Sequence, residues 1–142
     1  MKKLATVLVG FIAGLAISGV LGDLIVAVHN SAGRISAARS ISRAEKDYAG
    51  GNFSEGLIEY EKALGKIKPD NKILLAKVKN DMGLGEFNLA AENKDAARME
   101  KSILLFKDAL ALYKETGNAE LAAQTQTNLN TAQKTLKKLK RK

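Results

Sequence analysis

Gly51-Asn52-Phe53-Ser54-Glu55-Gly56-Leu57-Ile58-Glu59-Tyr60-Glu61-Lys62-Ala63-Leu64, running on to Pro69-Asp70-Asn71, reads as one helix with its punctuation at both ends. Gly51 suits the left-handed backbone that closes a preceding helix. Asn52 is placed to cap the next one, and Glu55 stands at capping-box spacing from it. Pro69-Asp70-Asn71 then ends the unit and offers Asn71 or Asp70 as the following cap.

The same grammar repeats outward. Glu92-Asn93-Lys94 and Thr116-Gly117-Asn118 are further turns, with Asn93 and Asn118 as caps and Gly117 as a second helix-ending glycine. Between turns the apolar residues keep helical spacing, as in Met99, Ile103, Phe106, Leu110, Tyr113 and in Leu129, Ala132, Leu136, Leu139. Helices are predicted at about 35–49, 53–67, 72–91, 95–115 and 119–139. Connections this short place neighbouring helices antiparallel. One proline, no tryptophan and abundant Ala, Leu, Lys and Glu fit an all-α protein.

Charge is uneven along the chain. Of the net +8, Lys2 and Lys3 hold two charges, and Lys134, Lys137, Lys138, Lys140, Arg141 and Lys142 hold six in a stretch with no acid. The residues between carry as many acids as bases, which excludes a basic nucleic-acid-binding body. Absence of cysteine excludes a disulfide framework, a thiolate nucleophile and a zinc-thiolate site.

Leu4 to Leu21 is uncharged and apolar or small, and after Asp23 the apolar run resumes to Val28. Leu4–Gly22 spans about 28 Å as a helix, enough for a hydrocarbon core of about 30 Å. Residues 1–28 are therefore expected to be a signal-anchor or single transmembrane helix, followed by a joint at 29–36. A cleaved secretory signal is the competing reading, with poor cleavage sites at Val20-Leu21-Gly22 and Ala16-Ile17-Ser18. Thr6, Gly10, Gly14, Ser18 and Gly22 recur every four residues, a ladder of small side chains on which another membrane helix packs closely. Composition alone also yields such a ladder. Arg34, Arg39 and Arg43 favour a cytoplasmic array, and the signal-like Lys-Lys start favours a periplasmic one. The signal-like start breaks the tie, for a single-pass protein of a bacterial inner membrane. His29, at the expected membrane boundary, reads as interfacial and not catalytic.

The 51–71 stretch resembles the second half of a tetratricopeptide repeat, with Ala44 at the small crossing position of its first helix and Tyr48 at the following aromatic. Asn80-Asp81-Met82-Gly83, with Phe87, is similar to a second first-helix signature, and Ser102 to Leu110 to its second helix. The Gly-Asn pairs at 51–52 and 117–118 lie 66 residues apart, near twice the family period of about 34 residues. The resemblance covers 37–139, and Asn128-Leu129-Asn130 begins what looks like a terminal solvating helix. The second hairpin is longer than the family's, no proline follows Leu112, and Asn130 stands where a small residue is expected.

The resemblance implies a concave face lined by first helices that binds a peptide or a subunit. Its residues here are Ile41, Glu45, Tyr48, Lys77, Asn80, Leu84, Phe87 and Asn88; core filling is the competing role for Tyr48, Leu84 and Phe87. The Lys and Asn with which some family members clamp a C-terminal carboxylate are replaced by Ile41 and Glu45, which argues against that use. No acid–base couple, phosphate loop or metal spacing stands out, so neither catalysis nor a cofactor is expected. Asn52-Phe53-Ser54 matches a glycosylation acceptor, but the cap accounts for Asn52. The tail, Lys134 to Lys142, reads either as a solubilising helix end or as a contact for anionic lipid headgroups; without an aromatic platform nucleic acid is a minor partner. The leading expectation is a membrane-tethered adaptor or accessory subunit of a membrane complex. The alternative is a secreted or periplasmic soluble module freed by signal cleavage.

Overall fold

The computed structural model of the chain describes residues 32–141. Within them lie five helices and no strand: α1 (Ala32–Ala49), α2 (Phe53–Leu64), α3 (Lys72–Asn93), α4 (Ala96–Glu115) and α5 (Ala119–Leu139). The expected helix at 4–28, its small-residue ladder and His29 lie outside the described residues, as does Lys142. Among the described residues no helix is long and apolar enough to cross a membrane.

Three helix ends are closed by one device. Gly51 and Gly117 take positive φ of 80° and 71°. The next N–H folds back over each: Asn52 donates to the Asp47 carbonyl at 2.8 Å and Asn118 to the Tyr113 carbonyl at 2.9 Å. At the third end a non-glycine residue, Lys94, takes φ 55°, and Asp95 N–H donates to the Ala90 carbonyl at 2.9 Å.

Several local expectations are corrected. Asn52 starts α2 without a side-chain cap bond, so the expected capping box does not form there. Asn71 and Asn118 do cap, accepting from Leu74 N–H and Leu121 N–H. Asp95, not Asn93, caps α4 by accepting from Arg98 N–H. Asn93 stays inside α3, donating to the Leu89 carbonyl at 2.9 Å. The joint foreseen at 29–36 is helical from Ala32, since nothing in Ala32-Gly33-Arg34-Ile35-Ser36-Ala37 forces a break and the alanines favour a helix. Conversely α2 stops at Leu64, three residues early, because a turn at Gly65–Lys66 precedes Pro69.

Each helix packs on its chain neighbours, and α3 touches α5 as well. The interior has two clusters. Ile41, Ala44 and Tyr48 of α1 meet Leu57, Tyr60 and Ala63 of α2 and Leu74, Val78 and Met82 of α3. Ala76, Leu84 and Ala90 of α3 meet Met99, Phe106 and Tyr113 of α4 and Leu129 and Ala132 of α5. The central helix α3 therefore buries residues around most of its circumference. Burying one side chain such as Phe106 contributes about 1.5–3 kcal/mol.

Glycines let the helices approach closely. A Cβ at Gly83 would lie 2.7 Å from the ring of Phe106, and one at Gly56 would lie 2.3 Å from the ring of Tyr48. Gly83 thus sits at a tight helix crossing.

The antiparallel order also gives the array two distinct ends. The start of α1 shares one end with the α2–α3 and α4–α5 turns: Lys66 Nζ reaches Ser40 Oγ at 3.5 Å, and Lys72 pairs with Glu115. The end of α5 lies at the other, beside the start of α4, where Lys140 Nζ meets Glu100 Oε1 at 2.6 Å.

Candidate functional site

A charged seam runs along α3. Lys77 and Asp81 are four residues apart and so share one face of the helix. Lys77 Nζ donates to Asp81 Oδ2 at 2.7 Å and, across to α1, to Glu45 Oε1 at 2.8 Å. The hydroxyl of Tyr60, buried on α2, donates to the same Asp81 oxygen at 3.2 Å. Asn80 Nδ2 reaches the other Asp81 oxygen at 3.4 Å. Asp81 and Lys77 together therefore join three helices, the carboxylate holding α2 and the ammonium holding α1. The seam is half-buried: the side chains of Lys77, Asp81 and Glu45 are 21%, 16% and 34% exposed.

Burial and neighbouring charge set the protonation of Lys77 and of the tyrosines around it. Burial by itself pulls the Lys77 ammonium down, but the Asp81 and Glu45 carboxylates outweigh it and hold its pKa above that of a free lysine. Burial pushes Tyr60 well up, and Asp81, Glu45 and Tyr48 add to the rise. Tyr113 on α4 is raised by burial and by Asp81, with Lys77 opposing. A lysine held charged is no general base at neutral pH, and tyrosines held neutral are no nucleophiles. What the seam offers is fixed geometry, hydrogen bonding and charge. Among the described residues no group of three His, Cys, Asp or Glu side chains could hold a metal ion.

A second charged group lies on another side of α3. The Glu86 side chain is 2% exposed, yet its carboxylate is served from α4 by Arg98 Nη1 at 2.9 Å and Lys101 Nζ at 2.6 Å. Its field reaches Tyr48, whose hydroxyl is raised by burial first and then by Asp81 and Glu86. Toward α5 the connection is neutral: Thr125 Oγ1 and Asn128 Nδ2 both donate to Asn80 Oδ1 at 3.2 Å.

The residues expected to line a binding groove divide in two. Ile41, Tyr48, Asn80, Leu84 and Asn88 are buried. They pack and bond within the chain; Asn88 Nδ2, for example, donates to the Leu84 carbonyl at 2.8 Å. Glu45, Lys77 and Phe87 are half-buried, so they are what that face presents to solvent. Asp81 and Glu86 were missed as site residues. The Lys77–Asp81 spacing is a readable signal for the first, and a lone acid within the apolar and small run 82–87 is one for the second.

In the tail, Lys134, Lys137, Lys138, Lys140 and Arg141 are all exposed. Leu136 and Leu139, between them, pack against the core.

Comparison with protein-family models, with curated proteins and with solved structures finds no match for this chain.

Proposed function

We propose that the chain is a membrane-tethered, tetratricopeptide-like adaptor or accessory subunit, anchored through residues 4–28 and holding a protein partner on its helical array. The observation that carries this reading is the stacking of antiparallel hairpins in chain order, with α3 sandwiched between its neighbours and glycines under aromatic rings at the crossings. Such stacks present long ordered faces for protein contact. The half-buried seam of Glu45, Lys77 and Asp81, with Phe87 further along the same helix, supplies polar and aromatic groups of the kind a partner reads. The apolar run supports the tether by its length, and its four-residue ladder supports lateral packing on another membrane helix.

The test is purification of the full chain in mild detergent, with identification of whatever stays bound. A stoichiometric membrane subunit is the expected result, lost on Gly10→Leu with Gly14→Leu. A clean monomer in every gentle extraction counts against the reading.

A second reading, a secreted or periplasmic module freed by signal cleavage, is supported by the described helices burying two clusters of their own. Mass spectrometry of the mature N-terminus separates the two: a chain starting near Asp23 removes the tether.

A further inference from the structure

The last two turns of α5 carry a one-sided strip of cations. Lys134, Lys137 and Lys138 stand three and four residues apart on one helix face, Arg141 follows in the turn just past the helix end, and all four are exposed. Like charges at these spacings repel one another, an effect the helix C-terminal dipole offsets in part, so counter-charge from outside the helix stabilises the strip further. The chain supplies little. No acid follows Glu120, and among the described residues the tail makes a single ion pair, through Lys140 to Glu100. Among the described residues the strip itself makes none.

Its surroundings narrow what it can hold. Leu136 and Leu139 are packed inward, so the strip offers charge without an apolar wedge for insertion between lipids. α5 contains no aromatic side chain on which bases could stack. The strip also stands at the end of the array opposite the start of α1. α5 has 21 residues, which makes it about 31 Å long. That length is several times the screening distance of about 8 Å at physiological salt.

We propose that this strip docks an acidic segment of a protein partner, at the end of the array remote from the bilayer. The placement rests on the tether proposed above, and the acidity of the partner rests on the strip. The body of the chain is electrically balanced, so this end dominates the field that a partner meets.

The experiment uses the full chain in phosphatidylcholine nanodiscs, with a poly-glutamate peptide as the probe. Anisotropy is expected to show binding that weakens with salt. Reversing Lys134, Lys137, Lys138 and Arg141 to Glu should weaken it by about tenfold or more, with unchanged helical circular dichroism. The four-fold Gln variant gives the same reading if the reversed protein misfolds. Reversal of Lys46 and Lys107, elsewhere on the surface, should leave binding unchanged. Equal binding by the strip variants overturns the proposal. So does tighter association with phosphatidylserine vesicles or with duplex DNA than with the peptide, which would assign the strip to lipid or to nucleic acid. Carbonate extraction tests the tether separately: a released chain that still binds the peptide removes the anchor and keeps the strip.

Discussion

The hydroxyl of Tyr48 on α1 occupies the space that a side chain at position 85 of α3 would need: a Cβ built on Gly85 would fall 1.9 Å from that oxygen. The same hydroxyl is buried without a hydrogen-bond partner among the described residues. Tyr48 also makes edge contacts with Phe53 and Tyr60, each with ring centroids 5.2 Å apart. The ring is thus wedged between helices by shape, and its polar atom goes unrewarded.

Two opposite outcomes follow for this pair. Gly85→Ala would gain up to about 1 kcal/mol from helix propensity on an open surface. Here the clash reverses the sign, and a loss of about 1–3 kcal/mol is expected in denaturant unfolding. Tyr48→Phe removes the orphaned hydroxyl and is expected to stabilise by about 1 kcal/mol. In the double variant the two changes should couple favourably, because the nearest clashing atom is gone. Strict additivity would mean that the contact does not exist in solution.

Lys94 holds the left-handed position that Gly51 and Gly117 hold at the two matching helix ends. A β-carbon there costs about 1–2 kcal/mol. Lys94→Gly is therefore expected to raise the thermal midpoint, while Lys94→Val should lower it, since branching at Cβ makes that backbone harder to adopt. Calorimetry of the two variants gives the check.

Glu86 depends on two cations from α4. Replacing Arg98 and Lys101 together by Ala removes both partners of a carboxylate that is 2% exposed in the native protein. Because the two cations are themselves half-exposed and their loss admits water, the expected loss is about 1–3 kcal/mol. Adding Glu86→Leu to that variant should recover much of the loss, as the buried charge is then removed as well. Failure of the triple variant to recover would show that the cations act through packing alone.

Alkaline pH should unfold the protein steeply. Lys77 and the tyrosines Tyr48, Tyr60 and Tyr113 all have folded pKa values above their ordinary ones. The folded state then binds more protons than the unfolded state above the ordinary tyrosine value of 10.0. Stability is full below that pH and falls as pH rises through the folded values. The chain has three tyrosines, so tyrosinate absorbance should appear in one step that coincides with loss of helix. A tyrosine titrating earlier, with the helix intact, would contradict its burial.

What was legible in the sequence is what local chemistry decides. Gly51, Gly117, Asn71 and Asn118 announce helix boundaries because each satisfies an orphaned backbone group or takes a backbone other residues avoid. The break at Lys94 was legible only in position, since nothing about a lysine signals left-handed backbone. Burial around α3 was harder to read. A groove face was assigned from the register of one repeat, but α3 has partners on several sides, and tertiary packing therefore claimed Asn80, Leu84 and Asn88. Tyr60 meeting Asp81, or Asn80 meeting Thr125, joins residues far apart in the chain, and no single-helix periodicity encodes such a pairing.

Packing in chain order, with α3 as the shared wall of two cores, also bears on how the molecule assembles. Because nearly every helix meets the one just before it, loop-closure entropy is small and the contacts are local, the topology that folds fastest. During synthesis α1 and α2 can pair before α4 exists, and α3 can seal the first core while the second is still unmade. α5 is the last of the five to be made, and the side-chain amide oxygen of Asn80 is the catch on which Thr125 and Asn128 close.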